Sequence, residues 1–165
     1  MYKELWVFLI SMIPVVELRG AIPVGLASGI HPILNFILCV MGNMVPIPFI
    51  LLFIRPIFHK LKQIPRVRGL IDRLEKRAHM KSDTIQKYSF WGLVIFVGIP
   101  LPGTGGWTGA LIAALLEMRL RKSLPAILLG VMIAGVIMTI LTQIVMAGLT
   151  EGMGFLGSFL NWIVG

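Results

Sequence analysis

Charge is scarce in this chain, and acid is scarcer still. Only 13% of its 165 residues are charged, with seven Asp/Glu against fifteen Lys/Arg, a net charge of +8. A single cysteine, Cys39, excludes an intrachain disulfide. The histidines His31, His59 and His79 lack metal-ligand spacing, so neither a metal site nor a cofactor is expected. No Ser/His/Asp or Cys/His set has supporting context, which argues against an enzyme. The glycine-rich run at 103–109 lacks the Gly-Lys-[Ser/Thr] ending of a P-loop. A signal peptide is also unsupported: Lys3 is balanced by Glu4, and no small-x-small cleavage site follows the apolar run 5–16.

Hydrophobic side chains fill the space that charge leaves. They make up 57% of the chain, with a mean hydropathy of +0.91, a balance that indicates a polytopic membrane protein. Ten Lys/Arg cluster in residues 55–87, opposed only by Asp72, Glu75 and Asp83. Lying between apolar blocks, that segment reads as a cytoplasmic loop drawn to anionic lipid, not as a nucleic-acid surface. The expected location is the cytoplasmic membrane, crossed more than once.

Residues 33–54 and 124–149 are long enough to span ~30 Å of hydrocarbon, with Pro46 and Pro48 kinking the first. Two further apolar stretches, 5–30 and 90–118, are interrupted by proline and glycine. Either they also span, or each is a re-entrant hairpin returning to its own side. Positive-inside counting separates the two readings. With Arg19 set aside because it lies at depth, four crossings put eleven Lys/Arg inside and leave Arg119, Arg121 and Lys122 outside; two hairpins put thirteen inside and leave Lys3 outside. Depth agrees, because runs 5–16 and 90–99 rise roughly 18 and 15 Å at ~1.5 Å per residue before breaking at 17–20 and 100–106.

The expected fold is therefore an all-α polytopic membrane domain over residues 1–165, built as an inverted repeat. Repeat 1 (1–54) holds hairpin 5–30 and span 33–54. A basic cytoplasmic connector covers 55–88, with an amphipathic helix over 67–82. Repeat 2 (89–149) holds hairpin 90–118 and span 124–149. A short interfacial helix covers 152–165. Two spans and two hairpins make a thin bundle, so a homodimer among membrane lipids is expected.

The motifs Glu17-Leu-Arg-Gly-Ala-Ile-Pro23 and Pro100-Leu-Pro-Gly-Thr-Gly-Gly-Trp-Thr-Gly109 resemble the two signatures of the small multi-drug export protein family. The likeness covers nearly the whole chain in the same order: motif, span, basic connector, motif, span. The family more often carries a small residue such as Ala where this chain has Gly106. The layout is also similar to the DedA/VTT-domain superfamily, some of whose members move phospholipids or a polyprenyl-phosphate carrier. That resemblance implies transport.

The motif residues themselves suggest a site. Glu17 and Arg19 are ionisable groups at bilayer depth, where charges mark function by default. On an extended backbone, favoured by Pro14, Gly20 and Pro23, the two would share a face and pair. Arg19 has a planar fork suited to phosphate. Glu17 would exchange protons, since desolvation favours its neutral form unless Arg19 holds it ionised. In the second motif, Pro100 and Pro102 end one half-helix, and Gly103, Gly105 and Gly106 permit a reversal. Thr104 or Thr108 would cap the next half-helix, whose N–H groups suit an anion. Trp107 would line the cavity or anchor the turn. The bland alternatives are a neutralised charge pair and glycine packing through Gly105-x-x-x-Gly109. Glu117 and Arg119 repeat the Glu-x-Arg spacing but fall at the interface, where snorkelling suffices. Asn43, Thr139, Thr142 and Gln143 read first as helix–helix hydrogen bonds.

Three function classes follow. The first is a transporter of an anionic amphipath such as a lipid phosphate, coupled to protons through Glu17. The second is a proton-coupled exporter of lipophilic cations, to which Arg19 is an obstacle. The third is a non-transporting assembly factor acting through the surface of residues 68–81.

Overall fold

Proline sets where the helices stop and start. The computed structural model describes residues 2–61, 82–101, 103–116 and 118–164, with side chains described outside 55–61, 82–88 and 151–164. Helix α1 (Tyr2–Ser11) runs out three residues before Pro14, which has no N–H and forces Ile13 away from helical geometry. Residues 12–16 turn the chain, with the Met12 and Ile13 N–H groups donating to the Leu9 and Ile10 carbonyls at 3.1 Å. Helix α2 (Glu17–Ala27) then packs back on α1. Gly29 closes it with φ +79, its N–H donating to the Leu26 carbonyl at 3.0 Å and the Ile30 N–H to Gly25 at 3.1 Å. Left-handed backbone of this kind is what glycine supplies at a helix end. Lys3 Nζ ties the open end of this hairpin by donating to the Ser28 carbonyl at 2.9 Å.

Pro32 opens helix α3 (Pro32–Met44) at a position where a missing N–H costs nothing. Helix α4 (Pro46–Leu61) continues from it through Val45, which keeps helical angles of φ −56 and ψ −49. Pro46 and Pro48 remove the donors to the Gly42 and Met44 carbonyls, yet the helical run goes on through them. Helices α5 (Ser82–Gly98), α6 (Gly106–Leu115) and α7 (Leu120–Val164) complete the chain. Every regular element among the described residues is helical.

Among the described residues, two stretches are long and apolar enough to cross a membrane: Pro32–Ile54, with 23 residues, and Leu120–Thr150, with 31. They coincide with the expected spans. Helices α1, α2 and α6, at 10, 11 and 10 residues, rise only about 15–17 Å and cannot span ~30 Å alone. The exposed surface of the long helices is apolar, with Ile33, Ile37, Met41, Phe49, Phe53, Ile133, Ile140 and Ile144 all facing outward. A continuous belt of that kind fits lipid, not water.

Two expectations need correction. The first hairpin breaks at 12–16, not 17–20: Pro14 is the breaker, whereas Gly20 and Pro23 are accommodated inside α2. No separate helix begins at 152, because α7 runs unbroken to Val164. No proline follows Pro125, so glycines at 148, 152, 154 and 157 weaken the helix without removing a hydrogen bond. The connector helix expected over 67–82 lies outside the described residues apart from Ser82, which opens α5.

Packing is close because the contact faces are small. Helix α1 lies on α2 and α3, α2 on α3 and α7, α5 along α7, and α6 on α4 and α7. Ala110, Ala113 and Ala114 bury one face of α6; Ala126, Ile127, Val131 and Ala134 bury one face of α7. A Cβ at Gly130 would stand 2.6 Å from Val97, and one at Gly135 would stand 2.7 Å from Phe36. In lipid, where apolar burial supplies little drive, such close contact is what holds helices together.

Candidate functional site

The turn of the first hairpin and the segment between α5 and α6 meet inside the bundle. Glu17 is the first residue of α2 and adopts φ +48, a left-handed conformation that is costly for a residue with a Cβ. Its side chain is 5% exposed and points at the start of α6. There the carboxylate accepts the Trp107 N–H at 3.2 Å, and the Gly106 N–H is its second backbone donor. Helix α6 has Gly105 as its N-cap and no side-chain cap of its own. Glu17 supplies the negative end that the helix start favours, reaching it from ninety residues away.

Arg19 makes the opposite connection. Its guanidinium donates to the Leu101, Thr104 and Ile99 carbonyls, the last at 3.1 Å, and to Thr104 Oγ1 at 2.9 Å. These acceptors follow directly after α5. A cation thus meets the carbonyl-rich end of one helix while an anion meets the N–H-rich start of the next. Thr104 Oγ1 also donates within this segment, to Ile99 at 2.7 Å. Gly103, at φ +87, provides the reversal that aims the carbonyls at Arg19.

This geometry departs from the expected Glu17–Arg19 pairing. Both side chains leave α2, where residues two apart face different directions. Each finds its partner across the bundle. The two threonines are corrected as well: Thr104 serves Arg19, Thr108 lines the cavity, and neither caps α6.

A cavity of about 590 Å³ opens where the two segments face each other. Pro14, Val15, Val16, Glu17, Arg19 and Gly20 form one wall, and Pro100, Gly103, Gly105 and Thr108 form the other, with Met138 of α7 behind. A Cβ on Gly105 would overlap the Glu17 carboxylate, so only glycine lets that group approach the helix start. Of the other candidates, Pro23 lies deeper in α2, where it removes the helical donor to the Arg19 carbonyl. Gly106 packs against Asn43 and Ile47, Trp107 contributes its backbone N–H, and Pro102 and Glu117 are outside the described residues. Of the Gly105-x-x-x-Gly109 pair, Gly109 packs against Val97 of α5, while Gly105 makes room for Glu17.

Residues 17–137, which include both meeting segments, match the family described as "Putative small multi-drug export protein". The chain belongs to this family. In this family member the match begins at Glu17 itself, the residue that reaches α6. No curated protein and no solved structure matches the chain, so the likeness to the DedA superfamily rests on layout alone.

Asn43 is the residue the sequence reading undervalued. It is fully buried at the end of α3, against Gly106, and its side-chain amide has no hydrogen-bond partner. Nothing in a lone asparagine within an apolar span distinguishes it from Asn35, whose amide donates to the Ile22 carbonyl at 2.9 Å.

Proposed function

We propose that this protein is a transporter of the cytoplasmic membrane whose substrate site is the cavity between two re-entrant hairpins. Its substrate is an anionic amphipath, most concretely a lipid phosphate, and Glu17 couples movement to protons. The observation that carries this reading is the Glu17 carboxylate seated on the Trp107 N–H at 3.2 Å. A seat that takes one oxyanion suits another. Protonation of Glu17 weakens it as an acceptor and frees the seat for a head group; return of the carboxylate expels it. Arg19 supplies positive charge at the same cavity, and the apolar wall of Val15, Val16 and Met138 accommodates a chain.

The packing pattern supports an inverted repeat. In each half the first helix of the pair lies on its own span (α1 on α3, α5 on α7), and the second touches its own span and also reaches the other half's span (α2 on α7, α6 on α4). Neither half completes the cavity alone. The chemistry needs no catalytic group and no cofactor, so the protein acts as a transporter and not an enzyme. Membrane lipids surround it, and a homodimer would thicken the bundle.

Reconstitution into vesicles tests the proposal. Wild-type protein should move a fluorescent lipid phosphate under a pH gradient, and Arg19→Ala should abolish movement. Full transport by Arg19→Ala would sink it. Labelling from each side beside Arg119 tests the hairpins, because a residue on the side opposite the basic connector contradicts re-entry. A second reading, export of lipophilic cations, draws on the family's description and on the buried carboxylate. Glu17-dependent resistance to cationic dyes, without any effect on lipid phosphates, would put it first.

A further inference from the structure

Four buried side-chain atoms among the described residues have no hydrogen-bond partner: Arg19 Nε, Trp107 Nε1, and both ends of the Asn43 amide. Three are donors. Their residues belong to, touch or hold the same short stretch. Asn43 Oδ1 stands 3.2 Å from where a Cβ on Gly106 would sit, Trp107 follows Gly106, and Arg19 holds Thr104. Helix α6 is ten residues long, and its first N–H groups add further donors to the same stretch. An unpartnered amide in a dry site destabilises the fold, so an asparagine kept at 0% exposure needs a reason. An acceptor-rich ligand supplies one.

We infer that Asn43 is a binding residue of the α6 seat: its unpartnered amide, turned so that Nδ2 replaces Oδ1 beside Gly106, donates to an oxyanion, a phosphate ester in chemical class, once the Glu17 carboxylate has left. This rests on the anion reading above and adds the residue that senses the head group from the second span. Ile47 and Val131 pack beside Gly106 and keep water from this side of the seat, so the amide acts where it is strongest. Glu17 stands against Gly105 and lines the cavity, and Asn43 stands against the next residue, Gly106. A carboxylate has two oxygens for the two backbone donors; a phosphate has oxygens left over for the amide.

The test uses the full-length protein in non-ionic detergent. It is titrated calorimetrically with dodecyl phosphate, inorganic phosphate and dodecyltrimethylammonium, and melted in parallel. Asn43→Leu removes the unpartnered amide while keeping the same heavy-atom count and branching. It should melt at the wild-type temperature or above, yet bind dodecyl phosphate roughly tenfold more weakly, the loss expected for one charge-assisted hydrogen bond. Asn43→Asp puts a second carboxylate against the helix start; it too should fold and lose phosphate affinity. Wild-type affinity in either variant overturns the inference. So does a sharp fall in the melting temperature of Asn43→Leu, which would make the amide structural. Equal affinity of wild type for inorganic phosphate supports the contact and assigns the seat to free phosphate; preference for the dodecyl ester supports it and assigns a lipid head group. Wild-type protein that binds only the ammonium amphiphile overturns the anion reading itself, a separate failure from unchanged binding in Asn43→Leu.

Discussion

A single methyl group at position 105 should pull the two motifs apart. Gly105 has extended backbone angles, φ −111 and ψ −169, that any residue can adopt, so Gly105→Ala brings no local strain. Its Cβ would overlap the Glu17 carboxylate and drive it from the Trp107 and Gly106 N–H groups. Hydrogen bonds to a charged group contribute about 1.5–3 kcal/mol each, and a Gly→Ala change returns about 0.4–1 kcal/mol through the unfolded chain. The expected net loss is about 2–6 kcal/mol. In a Glu17→Ala background the methyl group meets no carboxylate, and the same change should be neutral or mildly stabilising. Equilibrium unfolding of all four proteins in mixed micelles gives the coupling between the two sites, expected above about 2 kcal/mol. Distant sites add to within about 0.5 kcal/mol, so a coupling that small would refute the contact on which the site is built.

Other changes separate steric from conformational roles of glycine and charge. Arg19→Lys replaces a planar fork by a single ammonium that cannot serve the Ile99, Leu101 and Thr104 carbonyls together; vesicle transport should fall at least about tenfold and stability by about 2 kcal/mol. Gly25→Ala would drive a methyl into the Asn35 amide and break its bond to the Ile22 carbonyl, costing about 2–4 kcal/mol in unfolding experiments. Gly29→Ala meets no atom within 4 Å and should cost only the left-handed conformation, about 1–2 kcal/mol. Gly92→Ala, also in open space but inside helix α5, should stabilise by about 0.5–1 kcal/mol, the opposite sign for the same substitution.

Length and composition carry a great deal of this fold. The two spans stand out because about 30 Å of hydrocarbon demands about twenty apolar residues, and among the described residues two segments supply them. The meeting of residues 17–20 with 100–107 is also legible, because proline, glycine and charge have few places to go in lipid. What pairs with what inside that meeting is not. Sequence places Glu17 two residues from Arg19 and invites a local ion pair, yet α2 starts at Glu17 and sends the two side chains to opposite ends of the α5–α6 break. The start of α2 depends on Pro14 ending α1 early, and a shift of three residues in that boundary would rotate Glu17 away from α6. Asn43 is illegible for a different reason. Its meaning lies in what it lacks, and a missing partner appears only once Gly106 is known to stand against it. Asn35 and Asn43 occupy successive stretches of one span with the same burial, but one amide closes a helix contact and the other is left open beside α6, a helix whose N-cap is a glycine. The difference between a structural and a ligand-binding asparagine is thus set by the neighbour, a glycine on another helix, and that is the distinction the melting and binding of Asn43→Leu would measure.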